Sequence, residues 1–129
     1  MKTITLKQPW ASLIAYGYKK YEFRTWKTNY RGEILIHAGK GIDKEAMKRV
    51  KEYNLEYPSG KIIAKVKIVD CIKLDENKNR KICSENRKVY GYNNYEGYAW
   101  LLSDPEFVDV DEKISGRLSF WEYNLKEKK

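Results

Sequence analysis

Cysteine and histidine are nearly absent from this chain: Cys71, Cys83 and the single His37 complete the set. These few residues match none of the Cys/His patterns that hold zinc or clustered metals, so neither a metal nor a cofactor is expected. Two cysteines do not make a disulfide framework, and in a cytosolic chain both are expected to be reduced. Long apolar runs are missing too. None approaches the ~20 residues needed to cross a bilayer, and the opening "MKTITLKQPW" lacks the apolar core of a signal peptide. The expectation is a cytoplasmic, monomeric protein with no membrane partner. There is no internal repeat and no long linker in the 129 residues, which suit one domain over 1–125 with a frayed tail at 126–129.

Positive charge is what the chain has in excess. Lys and Arg number 26 against 18 acids, a net charge of +8, and the mean hydropathy of −0.77 is that of a soluble protein. The imbalance sits in the front half: residues 1–60 hold 12 bases against 6 acids, whereas Glu96 to Glu112 carries six acids and no base. Such a distribution fits a polyanionic partner on one side. A lysine-rich surface without a specific partner would give the same composition, and charge alone does not separate the two.

Hydrophobic spacing supplies the elements. "ITL" (Ile4–Leu6) reads as a strand, and "PWASLIAYG" as a helix with Pro9 at its first position and Gly17 as a left-handed C-terminal cap. Trp10, Leu13, Ile14 and Gly17 share one helical face. "YEFRTW" alternates, so Glu22 and Arg24 point the same way and Thr25 the other. A strand at Ile34–Ala38, a helix from an Asp43 cap to about Tyr53, and a long strand over Lys61–Leu74 follow. Residues 75–95 are polar and irregular, with room for one short helix. "YAWLL" and "RLSFWEYNL" close the chain as strands. The fold class expected is α+β, mainly β: a small barrel of about six strands with two to three flanking helices.

The stretch "GYKKYEFR" (Gly17–Arg24) concentrates the chemistry. Lys19 leaves a capped helix end, while Glu22 and Arg24 share a strand face. A carboxylate between two cations fixes their geometry and keeps them charged. Arg24 then offers a planar fork and Lys19 a point charge to a phosphate or to the polar edge of a base. A surface salt-bridge ladder is the plainer reading of the same charges.

The pattern Gly-x-Lys-x-x-Glu-x-Arg, met at Gly17, Lys19, Glu22 and Arg24, resembles the signature of the ASCH (activating signal cointegrator homology) domain family. "QPWASL" before it, "RTWKTNYRGEILIHA" after it, and later "YPSGKIIAKVKIVDC" and "FWEY" extend the resemblance over nearly the whole chain, toward the branch with the eukaryotic coactivator's domain. The resemblance implies a PUA-like pseudo-barrel whose signature residues line a cleft, and an association with RNA or nucleotide handling. It also implies a hydrolase alternative. Some small bacterial members deacetylate N4-acetylcytidine with a lysine, a threonine and a glutamate, and ribonuclease activity is attributed to another. Lys19 matches the catalytic lysine, but Glu22 stands where the threonine nucleophile belongs, and a carboxylate cannot replace that hydroxyl.

The expected function is therefore binding of RNA, or of a nucleotide-like anionic ligand, in a basic cleft, with DNA as a further candidate partner. A hydrolase or ribonuclease using Lys19 and Glu22 is the alternative, and an accessory role in protein assembly a third reading. The candidate site residues are Trp10, Ser12, Lys19, Glu22, Arg24 and His37. Trp10 reads equally as a stacking face or a core anchor. Ser12 enters because the resemblance puts its position at the cleft border. His37, between apolar residues on a strand, is a satisfied buried group unless it faces Lys19 and Glu22. Asp70 marks a bulge or a buried acid on the long strand. The tyrosines of "YGYNNYEGYAW" suit either loop edges or stacking, and Lys65, Lys67 and Lys73 suit a solvated face or phosphate contacts.

Overall fold

The computed structural model describes residues 1–92 and 94–125; the tail expected to fray, 126–129, lies outside them. Strands β1 (Lys2–Gln8), β2 (Tyr21–Arg24), β3 (Gly32–Ile42), β4 (Lys61–Lys73), β5 (Tyr98–Phe107) and β6 (Trp121–Glu122) form one mixed sheet in the order β2-β5-β4-β3-β1-β6. β1 runs parallel to β3, and the other pairings are antiparallel. The sheet is not closed by strand pairing. It nevertheless curls far enough for the Arg24 Nη2 of edge strand β2 to donate to the Thr5 carbonyl of β1, 3.2 Å away, although three strands intervene in the sheet.

Helix α1 (Trp10–Ala15) fills the space that the curl leaves. Its residues Ala11 to Ala15 are all buried, so it is enclosed on every side rather than along one stripe. Ala11, Ile14 and Ala15 pack with Ile4, Ile36, Val66 and Trp100 inside the sheet. Leu13 packs in a second cluster, with Val50, Ile82, Val89 and Tyr90. Pro9 is the residue before the helix rather than its first. Gln8 supplies the missing cap: its Oε1 accepts from the Ser12 N–H at 3.0 Å, and its Nε2 donates to Ser12 Oγ and the Pro58 carbonyl.

Helix α2 (Lys44–Arg49) starts at the expected Asp43 cap, whose carboxylate accepts from Ala46 N–H at 3.0 Å, and a 3-10 turn carries it to Tyr53. Of the even positions expected to form one buried face, Ile62, Ala64, Val66 and Ile68 of β4 are buried, whereas Ile72 and Leu74 are half-buried. Asp70 is exposed beside a register shift against β5, so it marks a bulge and not a buried acid. Residues 75–95 hold more structure than their polarity suggests: α3 (Glu76–Glu85) is capped by Asp75 and α4 (Arg87–Tyr90) by Asn86. The described residues thus contain four α-helices, against the two to three expected.

Candidate functional site

The spacing Gly-x-Lys is the C-terminal cap of α1. Gly17, at φ +85°, turns the chain left-handed, where a side chain would be strained. Its N–H donates to the Ile14 carbonyl at 3.0 Å and the Tyr18 N–H to the Leu13 carbonyl at 2.9 Å, the paired bonds of a Schellman motif. Lys19 N–H adds a second bond to Leu13 at 3.0 Å. The lysine is thereby aimed under the start of β2 instead of into solvent, and its side chain is 2% exposed.

Tyr90 of α4 secures the next two residues. Its buried hydroxyl accepts from the N–H groups of Lys20 and Tyr21 at 2.9 and 3.1 Å, and burial pushes its pKa up to about 12. Alternation along β2 then puts Glu22 and Arg24 on the side of Lys19. Lys19 Nζ donates to Glu22 Oε1 at 2.7 Å and to the Tyr21 carbonyl at 2.6 Å. Arg24 Nη2 lies 3.2 Å from Glu22 Oε2, and the Phe23 N–H donates to Oε1 at 3.2 Å. One carboxylate therefore holds two cations.

Burial by itself would raise the Glu22 carboxyl. The charges of Lys19 and then Arg24, with the hydrogen bonds from Lys19 and Phe23, outweigh it and hold the group below its ordinary value. Burial draws the Lys19 ammonium downward, against the charge and hydrogen bond of Glu22, with Arg24 adding a smaller push in the same direction as burial. The triad carries a net positive charge in a largely desolvated place, where interactions with an anion are least screened.

Above it opens a cleft of about 370 Å³. Trp10, Phe23 and Tyr95 line it with Lys7, Asp43 and the triad. Lys19 Nζ sits 5.5 Å from the Trp10 ring and 5.4 Å from that of Phe23, within cation–π range. Phe23 stacks flat on Tyr95, with ring centroids 3.9 Å apart. Arg24 Nε is buried and without a hydrogen-bond partner among the described residues.

Lys19, Glu22, Arg24 and Trp10 thus meet in one cleft, and Trp10 serves both readings, since it also packs against the core. Ser12 and His37 do not join them. The Ser12 hydroxyl is buried away from the cleft, donating to the Glu56 carbonyl at 2.8 Å. His37 is buried under the neighbouring loop, with Nε2 bonded to the Ile114 carbonyl at 2.7 Å. Lys65 and Lys67 pair with Glu33, Glu106 and Asp104 on a solvated strand face. Sequence reasoning missed Thr5 and Lys7 of β1, which face the triad only because the sheet curls; Tyr90 opens the flagged run of tyrosines, but its role is set by tertiary contact. Tyr95 was within reach, as one of the flagged tyrosines.

A curled mixed sheet plugged by a buried helix, with an ion triad between helix cap and edge strand, defines a PUA-like domain with its cleft beside the helix. The chain belongs to the ASCH domain family, whose model matches residues 4–112. Among curated proteins it is similar to activating signal cointegrator 1 of Mus musculus, 25% identical over 135 residues, and of Homo sapiens, 26% identical over 135 residues. Each match takes in 95% of this chain but 22% of the relative, so the chain spans about a fifth of their length. No helix among the described residues is long and apolar enough to cross a membrane. Nor, among those residues, are three or more His, Cys, Asp or Glu grouped to hold a metal ion.

Proposed function

We propose that this domain binds RNA, or a nucleotide-like ligand, through the cleft built on Lys19, Glu22 and Arg24. The observation that carries the reading is the buried triad at the base of an open, aromatic-walled cleft. Buried ion pairs add little to stability over apolar residues of like size, so a triad in that position is better accounted for by a ligand than by the fold. Trp10 and Tyr95 offer faces for a base, and the Glu22 carboxylate an acceptor for its amino or imino groups.

The test is fluorescence anisotropy with a labelled RNA octamer. Binding should weaken steeply between ~50 and ~200 mM salt as counterions are released. Arg24→Ala should cost roughly 10- to 100-fold, as for loss of a charged hydrogen bond, while Lys73→Ala, outside the cleft, should have little effect. Equal losses for the two variants would overturn the assignment.

The hydrolase reading keeps one supporting observation, the downward pull of burial on Lys19. Against it, the Glu22 carboxylate 2.7 Å from Lys19 Nζ favours the charged ammonium, and the nucleophile's position is occupied by Glu22. Incubation with N4-acetylcytidine should release no cytidine. Turnover that disappears in Lys19→Ala would reverse the order of the two readings.

A further inference from the structure

A second pocket, of about 470 Å³, adjoins the triad cleft, and the two share Thr5, Leu6 and Lys7 of β1 as a common wall. The pockets differ in charge. Glu22 and Asp43 lie in the triad cleft, whereas the charged groups lining the second pocket are Lys7, Lys40 and Arg117, all cationic.

Four glycines, Gly39, Gly41, Gly60 and Gly116, line this pocket, and three of them sit against side chains of β1. A Cβ on Gly116 would stand 2.6 Å from Thr5 Cγ2, one on Gly39 3.0 Å from the same atom, and one on Gly41 2.9 Å from Lys7 Cγ. Glycine at these positions lets the loop carrying Arg117 close onto β1 and lets the Lys7 stem lie across Gly41. The floor is fixed by hydrogen bonds. The Ile114 carbonyl can only accept, so His37 Nε2 carries the proton and Nδ1 accepts from the Thr5 hydroxyl at 3.2 Å. Thr5 Oγ1 in turn accepts from Trp121 Nε1 at 3.1 Å and from the Arg117 N–H at 3.3 Å. His37 thus positions the loop that presents Arg117.

We propose that this glycine-walled pocket is a phosphate subsite, and that the two pockets together form a track for a single-stranded nucleic acid of two or more nucleotides. The inference rests on the binding function proposed above. One nucleotide puts its base in the triad cleft, between aromatic faces and a carboxylate that suits a base edge better than a phosphate. The backbone passes over Lys7, and the adjacent phosphate lies between Lys40 and Arg117. Stacking in the first cleft requires an unpaired base, which selects single strands over duplex. The glycines in its wall let a sugar–phosphate chain approach closely.

The experiment compares a fluorescein-labelled mixed-sequence octanucleotide as single-stranded RNA, as single-stranded DNA and as an RNA duplex, across salt. The variants are Arg24→Ala and the double variant Lys40→Ala/Arg117→Ala, the latter pair both exposed residues, with Arg117 lying over the ring of Trp121. Each phosphate contact with a single strand contributes ~0.7 to the slope of log affinity against log salt. The double variant, which removes the one phosphate contact of this pocket, should therefore lose ~0.7 of slope and, at ~0.1 M salt, about 5-fold in affinity. Wild-type binding of either single strand, weakened in both variants and poorer with duplex, supports the track. The RNA and DNA arms show which sugar it accepts. Loss in Arg24→Ala with an unchanged slope in the double variant overturns the phosphate subsite and leaves the triad cleft standing. Loss in the double variant alone overturns the triad cleft as a binding site, and with it the continuous track. No binding by the wild type overturns both.

Discussion

Replacing Glu22 with alanine removes the carboxylate that holds two cations, and the two do not suffer equally. The Arg24 side chain is 23% exposed and can turn to water, whereas that of Lys19 is 2% exposed and cannot. The cost is therefore concentrated on a buried ammonium left with the Tyr21 carbonyl, and stranding one member of a buried pair typically costs ~3–5 kcal/mol. For a domain of this size that corresponds to a fall in Tm of roughly 10–20 °C. Lys19→Met should cost less, ~1–2 kcal/mol, because Glu22 keeps Arg24 and the Phe23 N–H. Lys19→Met/Glu22→Leu should recover most of the stability of the parent, since a well-packed apolar pair replaces a buried ionic one at little loss. Thermal melts followed by circular dichroism give the order. The pH dependence adds a signature that a simple cavity would not give. Without Glu22, burial and Arg24 act unopposed to lower the Lys19 pKa further below its ordinary 10.5. The unfolded chain then holds a proton that the folded one has shed, so raising the pH toward 10.5 should partly restore Glu22→Ala. A loss below ~1 kcal/mol, or Lys19→Met as damaging as Glu22→Ala, would refute the reasoning that a stranded buried charge sets the cost.

Two further expectations follow from the same geometry. Glu22 and His37 have folded pKa values below their ordinary 4.5 and 6.5, so each contributes stability that is complete above that value and lost as pH falls through its folded pKa. Melting temperatures recorded from about pH 7 to about pH 3 should show both declines, with Glu22→Gln flattening the lower and His37→Gln the upper; an unaltered profile in either variant would refute that assignment. Gly97→Ala should destabilise by ~2–4 kcal/mol, because its φ is +89° and a Cβ there would lie 2.4 Å from the Arg24 carbonyl and 2.7 Å from Thr25 Cα. It should also weaken RNA binding by displacing Arg24, and a stable variant with parental affinity would contradict both effects.

The parts of the site that sequence could reveal are those set by local periodicity. Gly17 as a left-handed cap, and Glu22 with Arg24 on one strand face, depend on spacing within a few residues. They are found where that spacing puts them. Ser12 and His37 fall outside the triad cleft for a different reason: which way a polar side chain turns depends on partners distant in sequence, Glu56 for one and Ile114 for the other. Helix α1 offers a one-sided apolar stripe, but packing between two clusters buries it all round. In residues 75–95 the charged surface of α3 masks its inward side chains, Asn79, Ile82 and Cys83, so a ten-residue helix reads as mostly irregular. Tyr90 stands out only as one of a run of tyrosines, because its task exists only once α4 is packed against β2.

The triad joins two spacings of the stretch Gly17–Arg24. From Gly17 to Lys19 the interval is fixed by the bonds of a helix cap, and from Glu22 to Arg24 by the two-residue repeat of a strand. Neither interval alone makes a site. The Lys19–Glu22 bond unites them across the junction, and the Tyr21 carbonyl takes a second lysine proton so that the junction cannot swing open without losing both. Arg24 then extends the device outward, to a backbone carbonyl of β1 that no side-chain pattern could announce. Because that last bond spans the gap between strands that are not paired, the geometry of the cleft depends on the curl of the whole sheet. A substitution that relaxes the curl, even one remote from the triad, should widen the cleft and separate Arg24 from Thr5 before it disturbs the Lys19–Glu22 pair, which is held by local bonds.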